Sequence, residues 1–179
     1  VTLRDMMCHR TGLPRHDFSW YLFNSNSRDS LLQRIRYQEP TAPLRQTWQY
    51  NNFMFLIQGM IAEKMYGKSW EKTVKEKIFT PLDMKSSNFT IKDLEKADDA
   101  SFGYTLYKDS LIFRTEYYNI NAMGPAGSIN SNVTEMSNWV IAWLNGGKFN
   151  GKEILPAAYT KEAMSSQMVI TSGLPDPEI

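Results

Sequence analysis

Between Phe53 and Tyr66, apolar side chains return at Phe53, Ile57, Met60 and Ile61. This spacing sets them on one face of a helix, and no other pattern in the chain restricts the fold as much. Gly67 follows at once, and glycine adopts the left-handed conformation that closes a helix without steric cost. The approach to this helix is polar, Arg45-Gln46-Thr47-Trp48-Gln49, and leads to Tyr50-Asn51-Asn52 at its mouth. Asn51 or Asn52 is suited to cap it by accepting a hydrogen bond from a first-turn amide. The apolar stripe reads as core packing.

Elsewhere helix follows helix, with two small β excursions. Thr2 and Asp5 form a capping pair for a first helix that is expected to stop at Gly12-Leu13-Pro14. Ser27 or Asp29 opens a short helix carrying Leu31, Leu32 and Ile35, before Pro40 and Pro43 impose a loop. Segments 102–107 and 111–118 flank Lys108-Asp109-Ser110 as a hairpin. Thr134 is expected to cap a helix that buries Met136, Trp139, Val140 and Trp143 and ends at Gly146-Gly147. Asn150-Gly151 is a type I′ turn signal. Pro156 suits the first turn of a last helix running to about Met168, after which Gly173, Pro175 and Pro177 read as a frayed tail. No linker or internal repeat is visible. Residues 1–179 are therefore expected to form one domain, mainly α with small β hairpins.

The balance of charge narrows the function classes. Lys plus Arg number 20 against 19 for Asp plus Glu, and the signs are interspersed, so no nucleic-acid or membrane surface is implied. Glu71 and Glu76 alternate with Lys72, Lys75 and Lys77 as on a solvated helix face. The single Cys8 excludes an internal disulfide. No run of about eighteen apolar residues is present. Cys8, His9, His16 and Asp17 match no zinc spacing, and adjacent Cys8 and His9 diverge by about 100° on a helix, so no metal is expected. No phosphate-binding, dinucleotide or Gly-x-Ser-x-Gly pattern occurs, and no cofactor is expected.

Tyr50-Asn51-Asn52 carries the most chemistry. A phenol and a carboxamide two residues apart at a loop-to-helix junction can project into one cleft. The phenol relays a proton where a neighbouring cation favours its charged form, and the amide grips a substrate carbonyl or hydroxyl. The plainer reading is a helix cap with a tyrosine packed on the first turn. Gly124, Gly127 and Ser128 form either a turn lining a cleft or a turn leading into the next helix. Trp20 and Phe18, in the aromatic loop after Pro14, serve either as a cleft wall or as core.

Several phrases together resemble one family. Val1-Thr2-Leu3-Arg4-Asp5-Met6-Met7-Cys8-His9-Arg10-Thr11-Gly12-Leu13-Pro14, Tyr50-Asn51-Asn52 and Ile78-Phe79-Thr80-Pro81-Leu82-Asp83-Met84 occur in the order seen in class C β-lactamases and penicillin-binding-protein-like serine hydrolases. Gly124-Pro125-Ala126-Gly127-Ser128-Ile129 and Trp143-Leu144-Asn145-Gly146-Gly147-Lys148 complete the match. Asp83 stands where the family usually has Gly.

The resemblance implies the helical region of the serine β-lactamase/transpeptidase-like fold, lacking most of its antiparallel sheet. It implies acyl transfer on a β-lactam, D-amino-acid peptide or ester. Tyr50 and Asn52 would be the catalytic pair, and Gly127, Ser128 and Trp20 would be substrate-binding. The family's Ser-x-x-Lys and Lys/His-x-Gly motifs do not lie at the matching places, so the missing N- and C-terminal parts of a parent protein are the expected partners. This chain alone is expected to be inactive. A bacterial periplasmic, envelope or secreted location is implied in the same way. Ser69-Trp70-Glu71-Lys72 satisfies Ser-x-x-Lys literally, but it follows the Gly67-Lys68 stop and falls after Tyr50, so Ser69 is expected to be a helix cap. The alternative to an enzyme is a binding or scaffold module that holds a peptide or peptidoglycan-like ligand in the Tyr50 cleft.

Overall fold

Short polar caps decide where the helices begin. In the computed structural model, which describes residues 1–170, Thr2 and Asp5 exchange hydrogen bonds as a capping box for α1, Leu3–Met7. α2, Phe18–Tyr21, is a single turn in the segment expected to be an aromatic loop. Ser27 accepts from the Ser30 amide to open α3, Arg28–Arg34, and a 3-10 turn continues it through Ile35–Tyr37. Asn51 accepts from the Met54 amide to open the central helix α4, Asn52–Tyr66, which Gly67 closes at φ 63°. Ser69 accepts from the Lys72 amide to open α5, Trp70–Val74, which runs on into a π turn at Lys75–Phe79. Ser69 is thus a cap.

The rest of the chain is built from smaller pieces. α6, Ile91–Leu94, precedes a hairpin of β1, Tyr104–Tyr107, and β2, Leu111–Arg114, paired antiparallel with Tyr107 opposite Leu111. α7, Gly124–Gly127, leads to α8, Val133–Leu144. β3, Lys148–Phe149, and β4, Lys152–Glu153, join through Asn150 and Gly151, both at positive φ, as a type I′ turn requires. α9, Ala157–Ala163, is the last described helix. The expected tail at Gly173, Pro175 and Pro177 lies outside the described residues.

Two apolar clusters hold these elements. In the first, Phe53, Met54 and Leu56 of α4 pack with Leu31 of α3 and with Ala122 and Met123 before α7. In the second, Phe79, Leu82 and Met84 pack with Ala142 of α8 and Phe149 of β3. Each large apolar side chain removed from water contributes about 1.5–3 kcal/mol. Trp70 stands between them, near Gly59 and Gly124 on one side and edge-on to Phe89 at 5.1 Å on the other. Gly59 has no room for a Cβ, which would lie 2.2 Å from a Pro125 ring carbon, so α4 and α7 touch backbone to ring. The Arg28 guanidinium joins Glu63 of α4 and Glu71 of α5, tying three helices at one point.

Several boundaries and faces differ from the expectation. α1 stops at Met7 rather than Gly12, because Cys8 caps it and His9 turns to φ 52° toward the mouth of α4. α4 buries Met54, Leu56 and Gly59 as well as Phe53, since neighbours lie on more than one side of it. α8 is capped by Asn132, not Thr134, and Met136 and Val140 are exposed. Its inward stripe is partly polar: the buried Glu135 accepts from the Ser86 and Ser87 amides at 2.7 and 2.8 Å, and Asn138 donates to the Leu82 carbonyl at 2.9 Å. α9 ends at Ala163, short of Met168, where the Gln167 carboxamide folds back onto the Glu162 carbonyl at 3.0 Å.

Asp83 sits at φ 57°, left-handed backbone that strains most side chains, which accounts for glycine being the usual residue in the resembling family. Asp83→Gly is therefore expected to be neutral or stabilising, and Asp83→Val to cost about 1–2 kcal/mol in urea denaturation. Ser69→Ala is expected to cost about 0.5–2 kcal/mol, with Ser69→Asp tolerated because an anion suits both the cap and the helix dipole.

Candidate active site

Asp5 lies fully buried at the end of the first capping box. One carboxylate oxygen accepts from Arg10 Nε and Arg45 Nε, and the other from Arg45 Nη2 and from the Thr2 amide and hydroxyl, each at 2.9 Å. Arg45, first among these donors, holds the carboxyl far below the usual carboxylate range against the opposing effect of burial. The backbone follows the same contacts. The Arg45 amide donates to the Arg10 carbonyl at 2.8 Å, and the Gln49 amide donates to the His9 carbonyl at 2.8 Å. Gly12, at φ 89°, completes the seam, since a Cβ there would lie 2.1 Å from the Ala42 oxygen.

This seam delivers Asn51 into the interior. Its amide N–H donates to His9 Nδ1 at 3.1 Å, and its side chain donates to the Pro14 carbonyl at 2.7 Å while accepting from Met54. Asn51 is thus consumed by structure, and its neighbours on either side face an open cleft of about 480 Å³. Pro14, Arg15, Trp48, Gln49, Tyr50 and Asn52 line that cleft.

The half-buried Tyr50 ring lies 4.4 Å from the His9 ring, and the Arg15 guanidinium carbon stands 4.8 Å above it. The Tyr50 hydroxyl makes no hydrogen bond among the described residues. Asn52 Nδ2 donates to Asp17 Oδ1 at 3.0 Å. Burial pushes the His9 pKa down, and the Asn51 amide occupies Nδ1, so His9 is a neutral imidazole with its proton on Nε2. His9 also walls a second cleft of about 600 Å³ together with Cys8, Trp48, Phe55 and Tyr159.

The other expected site residues lie elsewhere. Gly127 and Ser128 line a small hollow of about 120 Å³ with Phe89, Tyr117 and Asn130, not the Tyr50 cleft. The Ser128 hydroxyl donates back to the Gly124 carbonyl at 3.4 Å. Trp20 packs against the first core and donates from Nε1 to Asp17 Oδ1 at 3.1 Å, while Phe18 is exposed. Tyr50 and Asn52 are therefore brought together, Trp20 is joined to Asn52 through Asp17 Oδ1 without lining the cleft, and Gly127 and Ser128 are not brought to them. Arg15, Asp17 and His9 had not been assigned to this cleft. Arg15 and Asp17, charged and just after Gly12-Leu13-Pro14, carried a sequence signal, and His9 carried none.

Sequence comparison agrees with the fold. The chain belongs to the beta-lactamase family, whose sequence pattern matches residues 1–175. It is 32% identical over 150 residues to unguisins hydrolase ungD' of Aspergillus campestris, covering 80% of this chain and 28% of that protein. Among solved structures it resembles the octameric penicillin-binding protein homologue from Pyrococcus abyssi, with TM-score 0.76 and 20% identity over 96% of this chain and 40% of that one. It also resembles a D-stereospecific amidohydrolase from Streptomyces sp., with TM-score 0.73 and 20% identity over 99% of this chain and 53% of that one. These two likenesses concern the fold. The chain spans less than a third of the fungal relative's length.

The neutral His9 makes stability depend on pH. An unfolded chain takes up a proton below about pH 6.5 that folded His9 resists, so this contribution is complete above that pH and is lost as pH falls. Asp5 and Glu135, both held below their usual values, lose theirs only below about pH 4. The urea midpoint is expected to decline between pH 7.5 and 5.5. In His9→Asn, which tolerates the positive φ, that decline should shrink.

Proposed function

We propose that this chain is the Tyr50–Asn52 portion of a serine hydrolase of the beta-lactamase family that cleaves a peptide-like amide, a β-lactam or an ester by acyl transfer. The observation that carries the reading is the pairing of Tyr50 and Asn52 on one open cleft, with the cap duty left to buried Asn51 between them. A serine hydroxyl from another part of the parent adds to the substrate carbonyl. Its proton passes by way of an amine and the Tyr50 phenol to the leaving nitrogen or oxygen, and water then hydrolyses the acyl ester. His9 and Arg15 hold the ring while Asn52 engages the acyl side of the substrate.

The fungal hydrolase supports a hydrolytic reaction, and the amidohydrolase that shares the fold makes an amide one of the substrates to test. The resemblance that motivates the reading also favours a site of action in the cell envelope or outside the cell. A fungal relative means that this reading does not require a bacterial source.

The test is turnover by the parent protein, with residues on both sides of this segment, of a chromogenic cephalosporin, a D-amino-acid amide and a nitrophenyl ester. Tyr50→Phe is expected to lower kcat by about 10²–10⁴. Nearly full activity in a folded Tyr50→Phe protein would make Tyr50 structural. The 179-residue chain alone is expected to escape labelling by a fluorophosphonate. Stoichiometric labelling mapped to Ser69 would overturn both the reading and the assignment of Ser69 as a cap.

A further inference from the structure

The chain holds two Asn-x-Thr triplets, Asn88-Phe89-Thr90 and Asn132-Val133-Thr134, the form in which an asparagine carboxamide can accept an N-linked glycan on a secretory route. A glycan is bulky and hydrated, so a folded protein carries it only where the asparagine nitrogen opens to water. The two triplets differ on that point.

Asn88 is built into the fold. Its backbone pairs with Asn130 in an antiparallel bridge, through N–H to carbonyl bonds of 3.0 and 2.9 Å. Its Oδ1 accepts from Asn130 Nδ2 at 2.9 Å, and its own Nδ2 turns back to the Ser86 carbonyl. Phe89 stacks on Phe79 of the second core at 4.9 Å, and the Thr90 hydroxyl donates to Asp93 Oδ2 at 2.7 Å. A sugar on Asn88 would be wedged into a half-buried bridge.

Asn132 is exposed and extended, at the N-cap of α8, where its Oδ1 accepts from the Glu135 amide at 2.9 Å. That bond decides how the carboxamide is turned, because only its oxygen can meet an N–H. The nitrogen is the other end, and Nδ2 makes no hydrogen bond among the described residues. Val133 is 85% exposed, and Ser131 and Thr134 are exposed as well. Laying another part of the parent over this turn would strand the polar groups of Ser131, Asn132 and Thr134, which keeps the turn in water.

We propose that Asn132, and not Asn88, is an N-glycan acceptor of the parent protein. The donor is an oligosaccharide held on a lipid pyrophosphate. Nδ2 bonds to the anomeric carbon as the bond from that carbon to the pyrophosphate oxygen breaks. The lipid pyrophosphate leaves with the electron pair, and Nδ2 gives up one of its hydrogens as a proton. Oδ1 takes no part, so it keeps the Glu135 amide and α8 keeps its cap. This goes beyond the hydrolase reading and draws only on its site of action outside the cell.

The experiment secretes the full-length parent from insect cells behind a supplied leader and maps its glycans by mass spectrometry after enzymatic release in heavy-oxygen water. Asn132 is expected as labelled aspartate and Asn88 as unchanged asparagine. Two variants remove the triplet without touching the cap. Thr134→Ala deletes the hydroxyl, and Val133→Pro puts proline at the first position of α8, where the Val133 amide makes no backbone bond and extended Asn132 suits a following proline. Both should lose the Asn132 glycan while the protein stays folded by circular dichroism, and Thr134→Ser should keep it. An unoccupied Asn132 in the folded, secreted parent would overturn the proposal, and so would a glycan on Asn88. Because the leader fixes the route, either result counts against this inference and leaves the hydrolase reading to its own turnover test.

Discussion

The buried carboxylate of Asp5 governs how the site is assembled. Taking a carboxylate out of water costs several kcal/mol, and only dense hydrogen bonding offsets this. Here Thr2, Arg10 and Arg45 supply that bonding, and each belongs to a different stretch of chain. Thr2 starts α1, Arg10 begins the turn that leads to Pro14, and Arg45 lies in the polar run before α4. Arg45 is held at φ 66°, a backbone state that bulky residues avoid unless their surroundings impose it. The seam between residues 9–14 and 41–51 follows, and so does the entry of Asn51 into the core. Tyr50 and Asn52 point into the cleft because Asn51, between them, is pinned.

The second core is secured by a comparable device, again a buried carboxylate. Glu135 is buried on α8, and the burial alone would raise its pKa. The Ser87 hydroxyl and the Ser86 and Ser87 amides outweigh that and hold it below its usual value. A carboxylate here clamps a loop rather than a pair of arginines. The consequence is visible on the helix: with Glu135 and Asn138 turned inward, Met136, Val140, Ile141 and Leu144 are left exposed. The inward face of α8 combines hydrogen bonds to residues 82–87 with the packing of Trp139 and Ala142.

Most local signals were legible in the sequence, with Thr134 as a cap and Gly12 as the stop of α1 the exceptions, and long-range ones were not. Thr2 with Asp5, Ser27, Ser69, Gly67 and Asn150-Gly151 act within a few residues of themselves, and each does in the structure what its spacing suggests. The partner of Asp5 lies forty positions away at Arg45, a separation at which no periodicity operates. The face of α8 was misread for the same reason, since its apolar residues outnumber its polar ones while the loop it meets offers backbone amides. At the site, Tyr50 and Asn52 were visible as a pair because two positions on one helix mouth share a direction. Gly127 and Ser128 were grouped with them without such a link, and the chain folds them onto another surface, while Trp20 reaches Asn52 only by way of Asp17. Asp17 was weighed only as a metal ligand, so its bond to Asn52 was out of reach.

The charges around Tyr50 say what the cleft still requires. His9 lies against the ring but is neutral, because burial and the donated Asn51 amide both oppose its protonation. Arg15 is the cation over the ring among the described residues, and its guanidinium cannot give up a proton at neutral pH. It can bias the field at the phenol but cannot exchange a proton with it. The proton transfer proposed for Tyr50 would therefore need a group that titrates near neutrality and reaches the hydroxyl from the open side of the cleft. An amine whose pKa is lowered by its surroundings meets that requirement, and a guanidinium or a neutral, hydrogen-bonded imidazole does not.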